Sequence, residues 1–363
     1  MGTETPTQTG AEITGGGAAA GDNAANRRAR RILFGCAAIT VLTTLAIFFV
    51  LLDNAASYFF GAKFTEMTRG ASFEQTVTFT EFFTGQRWAP DHARPAHGIL
   101  PIVFGTLAIT VGAAFVAIPI GTATAIYLSE YASPGIRSKL KPMLEILAGI
   151  PTIVYGYFAI AFINPVLLSG LAAYVLNPLG NGLLQVGSAL PGTMGDSLTS
   201  IATSMIGINV GRYSLLSGIL VVGIMTIPMV SSISEDAMSA VPDDLRNGAY
   251  ALGATKFNVS TRIVLPASIS GVFASYILAV SRAIGETMAV TLAAGFNANI
   301  TTNPFDEIMT MTAYMVSMAR GTSAVGTVEY QSLFAVGLVL FVMTLVMNLL
   351  NDAFKRRFQE EYQ

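Results

Sequence analysis

The side chains best placed to do chemistry in this sequence are Arg282 and Glu286, which interrupt the long apolar stretch 269–295. A guanidinium at the centre of a bilayer costs about 2.5–3.5 kcal/mol on insertion scales, so it must face a partner or a wet pathway. Residues four apart on one helix share a face, so the two side chains can reach each other. One interpretation is an ion pair that only neutralises both charges. We favour the other, a polar pathway that also includes Thr287, because ionisable groups in spanning segments are functional by default.

A second candidate lies at the start of another apolar stretch, where Gly149, Pro151 and Thr152 follow one another closely. These residues can unwind the beginning of a membrane helix and expose backbone amides to an anion, as discontinuous transporter helices do. Close packing between helices is the alternative explanation. We include Thr152 in the candidate pathway.

The elements that position these residues are indicated by composition. Of 363 residues, 52% are hydrophobic and only 12% are charged, whereas a soluble domain carries about 25% charged residues. The net charge of −2 leaves no basic surplus for a nucleic acid. The single cysteine, Cys36, excludes an intrachain disulfide. Composition therefore predicts a protein embedded in the lipid bilayer.

Six apolar stretches approach or exceed the roughly 20 residues that a spanning helix requires. The predicted spans are 32–52, 99–128, 146–163, 215–233, 269–295 and 332–350. The apolar stretch 166–176 is shorter and is followed by the Asn-Pro-Leu-Gly-Asn-Gly sequence at 177–182. We interpret it as an interfacial or re-entrant element, so the sequence predicts an all-α protein with six transmembrane helices.

The distribution of basic residues predicts the orientation. With six spans and a cytoplasmic N-terminus, 13 of the 20 lysines and arginines fall in inner segments and six in outer loops, as the positive-inside rule requires. Both termini are therefore expected in the cytoplasm. The predicted organisation is a disordered tail (1–30), a first transmembrane helix (31–52), an extracytoplasmic loop (53–98), a transmembrane domain (99–350) and a cytoplasmic tail (351–363).

The inner loop 234–266 has the pattern of two short helices joined by a turn. Pro242 and the two aspartates after it suit a helix N-terminus, and Leu245, Ala249 and Leu252 follow at helical spacing. Gly253 suits a left-handed helix end, and Thr255 can cap the second short helix. This predicts a rigid knob at the membrane surface that another protein can grip, with a solvated connector as the alternative.

The same loop resembles the EAA motif of ABC-importer permeases. Asn-Gly-Ala-Tyr-Ala-Leu-Gly at 247–253 is followed, nine residues later, by Ile-Val-Leu-Pro at 263–266. The motif's opening Glu-Ala is Asn-Gly in this chain. The resemblance implies a coupling helix seated in a cleft of a cytoplasmic ATPase. The residues it assigns to coupling are Asn247, Gly248, Ala249, Leu252, Gly253 and Ala254.

Further motifs resemble phosphate-specific permeases of the PstC type. They are Leu-Ser-Glu-Tyr-Ala at 128–132, Leu-Ala-Gly-Ile-Pro at 147–151, Ser-Arg-Ala-Ile-Gly-Glu-Thr-Met-Ala-Val at 281–290 and Phe-Thr-Gly-Gln-Arg-Trp at 83–88. This resemblance implies the type I ABC-importer permease architecture in a bacterial or archaeal cell membrane. The implied partners are a PstA-like permease, a PstB-like ATPase dimer and an extracytoplasmic phosphate-binding protein.

The chemistry of the charged pair suits an oxyanion. Arginine presents a planar fork of donors that matches phosphate and stays charged at any relevant pH. Glu286 can accept a hydrogen bond from a P–OH group or hold Arg282 when the site is empty. We expect Arg282 to exchange Glu286 for phosphate during transport.

The chain contains no G-x-x-x-x-G-K-[ST] sequence for cradling nucleotide phosphates. ATP and Mg²⁺ are therefore expected in the partner ATPase, and no cofactor, metal site or catalytic residue is predicted here. Two alternatives stay open: a permease for sulfate, molybdate or phosphonate, and a membrane-embedded enzyme. The second is disfavoured because the predicted spans hold no nucleophile–base or metal-ligand cluster.

Overall fold

The computed structural model describes residues 16–61, 77–90, 92, 94–206, 208, 210–321 and 327–359. The chain divides into two compact units, 1–52 and 53–363. The described part of the chain is almost entirely helical. Its α-helices are α1 Gly16–Phe60, α2 Phe79–Thr84, α3 Leu100–Ile126, α4 Pro134–Ala148, α5 Thr152–Phe158, α6 Ser169–Leu171, α7 Asn177–Ala189, α8 Thr193–Met205, α9 Leu215–Ser239, α10 Asp243–Ala251, α11 Lys256–Val259, α12 Leu265–Ala267, α13 Ile269–Ile284, α14 Met288–Ala294, α15 Met311–Arg320 and α16 Val328–Gln359.

Short π-helical segments join or extend several of these helices. They are Tyr127–Tyr131, Ala159–Leu168, Ala172–Leu176 and Ser260–Val264. Two-residue strands, β1 Trp88–Ala89 and β2 Ala96–His97, pair antiparallel.

Five helices in the described part of the chain are long and apolar enough to cross a membrane. They are Asn26–Phe60, Leu100–Tyr131, Thr152–Ala189, Leu215–Ser239 and Val328–Leu350. A sixth crossing is formed if Lys256–Ala267 and Ile269–Ile284, which meet at an angle of 73°, count as one span. The predicted all-α, polytopic architecture is therefore confirmed, with a bend at Ser268, immediately before the predicted fifth span.

The centre of the second unit is the contact between α3 and α9. A Cβ placed on Gly121 would lie 2.7 Å from the Val230 side chain, and one on Gly223 would lie 2.9 Å from Val116. Small residues at these crossings let the two backbones approach closely, which is how membrane helices gain packing energy. The two helices therefore pack along much of their length.

The first helix begins earlier than the sequence predicted. α1 starts at Gly16, inside the 1–30 stretch that was expected to be disordered. Residues 17–25 are rich in alanine, the strongest helix former, so the helix extends past the apolar span. Residues 1–15 of the predicted tail lie outside the described residues.

The third span differs most from its prediction. The expected span 146–163 is divided, because α4 ends at Ala148 and a new helix starts at Thr152. That helix continues to Ala189, so the stretch 166–176 belongs to it and is not a separate interfacial element. Pro178 does not end the helix because the π-helical segment Ala172–Leu176 comes directly before α7, and such local adjustments accommodate proline in membrane helices.

The residues before α3 form a small aromatic layer. Tyr58, Phe82, Trp88 and Tyr314 are buried in one cluster, and the Tyr58 hydroxyl is hydrogen-bonded to Nδ1 of His97 at 2.8 Å. This layer packs the β-hairpin against α15, so Phe82 and Trp88 act as core residues of this part of the fold.

Candidate functional site

The fifth predicted span is broken at residues 285–287. α13 ends at Ile284 and α14 begins at Met288, so the predicted continuous helix over 269–295 is wrong at its most polar point. The Thr312 hydroxyl, from α15, donates to the Glu286 carbonyl oxygen at 2.7 Å. This bond satisfies a backbone acceptor that the break leaves without a helical partner, which stabilises the non-helical turn.

Glu286 holds the other side of the break. Its Oε1 accepts the backbone N–H of Ala289 at 3.2 Å, and only 8% of the residue is exposed. A carboxylate in this position caps the first turn of α14 and faces the positive end of its dipole. Glu286 is therefore a structural group in this conformation.

The expected pairing of Arg282 with Glu286 is not formed. Within the described residues the Arg282 guanidinium makes no hydrogen bond or ion pair, and it is exposed at the last turn of α13. The physical reason is the break itself, since the four-residue spacing brings two side chains together only on a continuous helix. Arg282 does act electrostatically on the hydroxyl of Tyr155 in α5.

The other predicted pathway residues lie on the elements around this break. Thr287 is half-buried, and its hydroxyl donates to the Gly285 carbonyl at 3.1 Å. Thr152 is the half-buried first residue of α5. α5 packs on α14, because a Cβ on Gly156 would lie 2.8 Å from Leu292. The structure thus places α5, the break and Arg282 in one region.

The predicted unwinding before the third span is confirmed. Residues 149–151 are non-helical between α4 and α5. The Tyr155 hydroxyl, whose residue lies one turn into α5, donates to the carbonyl of Leu147 at 2.8 Å. The non-helical turn before α5 and the break before α14 therefore lie on two helices that pack together, and irregular backbone of this kind is found at transporter binding sites.

The inner loop forms the predicted helix–turn–helix. Gly253 has a φ of 80° and follows α10. The Ala254 N–H donates to the Ala249 carbonyl at 3.1 Å, and the Gly253 N–H donates to Tyr250 at 2.9 Å. These two bonds define a Schellman helix end. Thr255 then caps α11 by accepting the Asn258 N–H at 3.3 Å, so both turn predictions are confirmed.

The turn of this loop presents large apolar side chains to the outside. Leu252 is 90% exposed and Phe257 is 65% exposed, whereas Ala249 is buried. Leu252 does not continue the face of Ala249, because α10 ends at Ala251 and the chain turns there. Of the other predicted coupling residues, Asn247, Gly248 and Gly253 are exposed and Ala254 is half-buried.

An ionic network around a buried carboxylate fixes α4 against the C-terminal end of α9. The fully buried Glu235 carboxylate accepts from Lys141 at 2.7 Å and also pairs with Arg137. Lys141 pairs with Asp236 as well. The hydrogen bonds that Lys141 donates to Asp236 and then to Glu235 raise the pKa of Lys141 above its ordinary value, so Lys141 stays charged at neutral pH.

A second network was not anticipated from the sequence. Arg246 of α10 pairs with Glu130, which follows α3 in the Tyr127–Tyr131 segment, at 3.1 Å. The only sequence signal was that Glu130 stands in the Leu-Ser-Glu-Tyr-Ala motif. Its partner lies 116 residues away, and no local pattern connects the two.

Comparisons with known proteins define the class. The model of the family described as "Binding-protein-dependent transport system inner membrane component" matches residues 117–360, which is more than half of the chain. The chain therefore belongs to this family and is the permease component of an ABC importer. This family is a transport component and not an enzyme.

Relatives extend the match over most of the chain. The chain is 30% identical over 310 residues to the "Probable ABC transporter permease protein YqgH" of Bacillus subtilis, covering 85% of this chain and 87% of the relative. It is 32% identical over 277 residues to the "Phosphate transport system permease protein PstC" of Mesorhizobium japonicum, covering 76% and 78%. A PstC protein of Xylella fastidiosa is 30% identical over 84% of this chain and 85% of the relative.

Solved structures support the fold. A chain of a bacterial alginate ABC transporter, crystallised with an alginate-bound periplasmic protein, superposes with a TM-score of 0.54 over 92% of this chain and 96% of that chain. The sequence identity is 15%, so the likeness concerns architecture alone and confirms that of an ABC-importer permease.

Proposed function

We propose that this chain is the phosphate-specific permease subunit of an ATP-driven importer and forms half of the anion pathway. The exposed guanidinium of Arg282 beside a broken membrane helix is the observation that carries the proposal. A charge that is costly to place in the bilayer and has no protein partner among the described residues is suited to a transported anion. The sequence similarity to several PstC proteins favours phosphate as that anion.

The geometry revises how the site works. Because Glu286 is engaged as the cap of α14, Arg282 does not have to release it before binding phosphate. Arg282 receives the anion directly, and Thr287 and Thr152 supply hydroxyl groups on the adjoining elements. Glu286 stabilises the break by capping α14. The positive N-terminal end of α14 in turn neutralises part of the negative charge of Glu286.

The docking surface is the turn around Leu252 and Phe257. Two exposed large apolar side chains on a rigid turn match a cleft in a partner protein, since buried apolar anchors dominate interfaces. We assign this turn to an ATPase dimer that binds ATP and Mg²⁺, and the outer face to a phosphate-binding protein. A PstA-like chain would complete the pathway, with both termini of this chain in the cytoplasm of a bacterial or archaeal cell.

The experiment is reconstitution of the chain with these partners in proteoliposomes. Phosphate uptake that requires ATP, and ATP hydrolysis stimulated by the phosphate-loaded binding protein, are the expected results. Sulfate, molybdate and phosphonate are added as competitors. If one of them is taken up in place of phosphate, the phosphate assignment is wrong and a different oxyanion is the substrate.

Arg282→Lys tests the binding residue. Lysine keeps the charge but lacks the planar fork that holds two phosphate oxygens, so uptake should fall to background while the complex still assembles. Arg212→Lys, which changes an exposed arginine outside the membrane helices, is the control and should transport normally. Normal uptake by Arg282→Lys would exclude a direct role for this guanidinium.

A further inference from the structure

The Arg246 side chain connects three cytoplasmic elements. Its Nε donates to the Glu130 carboxylate at the end of the α3 segment, at 3.1 Å. Its Nη2 donates to the carbonyl of Met238 in the last turn of α9, at 2.8 Å. Nη1 donates to the Val241 carbonyl and pairs with Asp243 at 3.0 Å. One guanidinium on α10 thus holds the ends of the two helices that pack along the centre of the unit.

The two acidic partners of Arg246 differ in burial. The Glu130 side chain is 5% exposed, that of Arg246 is 14% exposed and that of Asp243 is 87% exposed. A buried charge pair with shared hydrogen bonds fixes orientation, and the loss of one member leaves the other uncompensated. A solvent-exposed pair contributes little. The contact with Glu130 is therefore the stronger of the two.

Apolar packing alone does not replace this contact. Ala249 of α10 and Ala125 of α3 belong to the same buried cluster, but apolar contacts are non-directional and permit sliding. The Arg246 fork binds acceptors from the Tyr127–Tyr131 segment, which continues α3, and from α9 at fixed angles. Residues 240–242 connect α10 directly to α9 along the chain. The polar connection from α10 to α3 has no such short linker and depends on Glu130.

We infer that Arg246 is a positioning residue that couples movement of the docking turn to α3 and α9 together. The inference rests on the proposed function, since it takes α10 as part of the segment that the ATPase grips. When the ATPase displaces α10, the clamp of Arg246, Glu130 and the α9 carbonyls carries α3 and α9 with it. Without the clamp, α10 moves and the membrane helices follow incompletely.

The test compares Glu130→Gln with Asp243→Asn in the reconstituted complex. Both remove one negative charge from a partner of Arg246, and glutamine still accepts the Nε hydrogen bond, so assembly should be retained. The readouts are co-purification, ATP hydrolysis stimulated by the phosphate-loaded binding protein, and phosphate transported per ATP. In Glu130→Gln the stimulation should fall at least about fivefold, the low end of typical coupling between sites. Asp243→Asn should match the wild type.

Arg246→Lys is the second variant, because it keeps the charge but lacks the fork. It should assemble and show the same direction of loss, and it replaces Glu130→Gln in the comparison if that chain does not assemble. The clamp is overturned if stimulation survives the loss of Glu130, or if Asp243→Asn loses it equally, which would indicate a general charge effect. A wild-type complex without stimulated hydrolysis would instead overturn the proposed function, and the clamp with it, before any variant is compared.

Discussion

Arg282 and Glu286 are four residues apart, yet the structure gives them separate roles. Glu286 is buried and accepts the Ala289 N–H, while Arg282 is exposed on the preceding helix. The difference arises because the helix ends between them. An ionised side chain that caps a helix stabilises the fold, and one that has no partner among the described residues is available to a ligand. In this site Glu286 caps α14 instead of pairing with Arg282, and this leaves the Arg282 guanidinium exposed.

The capping role of Glu286 predicts a graded loss of stability. Glu286→Ala removes the acceptor for the Ala289 N–H and should lower stability by about 1 kcal/mol, as for other lost helix caps. Glu286→Gln keeps an acceptor oxygen and should lose less. Thermal unfolding of the purified chain in detergent measures both, with the exposed Glu145→Ala as control. Equal losses in the two Glu286 variants would show that the charge matters and the cap does not.

At the scale of elements, the helices are interrupted beside the proposed anion pathway and at the proposed docking surface. The chain is non-helical at 149–151, just before the span that starts at Thr152, and at 285–287, just after Ile284, and it turns sharply after α10. Each interruption has its backbone groups satisfied by a named partner, such as the Thr312 hydroxyl or the bonds around Gly253. Irregular backbone at membrane depth is tolerated only where it is buried in protein or lines a cavity.

The exposed turn after α10 predicts a docking defect. Leu252→Asp places a charge where an apolar anchor should enter the partner, so co-purification of the ATPase should be lost while the chain still inserts in the membrane. Ser133→Asp adds the same charge at an exposed position before α4, where a helix N-terminus favours it. That control should retain the ATPase. Retention of the ATPase by Leu252→Asp would place the docking surface elsewhere.

For the whole molecule, the number of crossings depends on one bend. Five helices of the described chain span by length and composition, and the pair joined at 73° supplies a sixth. An even number of crossings puts both termini on the same face, whereas five crossings put them on opposite faces. The proposed cytoplasmic position of both termini therefore depends on whether this bent pair crosses the membrane.

Protease accessibility of terminal tags tests this directly. Tags fused to each terminus should both be cleaved in inside-out vesicles and both be protected in intact cells or spheroplasts, because six crossings and the excess of basic residues in inner segments agree. A tag inserted after Gly253, in the exposed turn between α10 and α11, serves as the cytoplasmic reference. Cleavage of the two terminal tags from opposite faces would show that the bent pair does not cross.

The sequence by itself was sufficient for the class of fold and for the helix–turn–helix form of the loop 234–266. Long apolar runs dictate spanning helices in any context, because backbone groups in lipid must bond within the segment. The turn at Gly253 and the cap at Thr255 were also predictable, since their bonds connect residues within five positions. Such turns and caps are determined by residues close in the sequence and do not depend on packing between distant helices.

Only the tertiary structure decided two features: the helix break inside the predicted fifth span, and the ion pair that connects α10 to the segment after α3. The break at 285–287 is stabilised by Thr312, which is 26 residues away from Glu286. The clamp of Arg246 depends on Glu130, which is 116 residues away. The sequence places Arg282 and Glu286 at helical spacing, and without knowledge of these distant partners that spacing predicts an ion pair. The break is stabilised because the distant Thr312 hydroxyl satisfies the Glu286 carbonyl. The break in turn separates Glu286 from Arg282, which stays exposed.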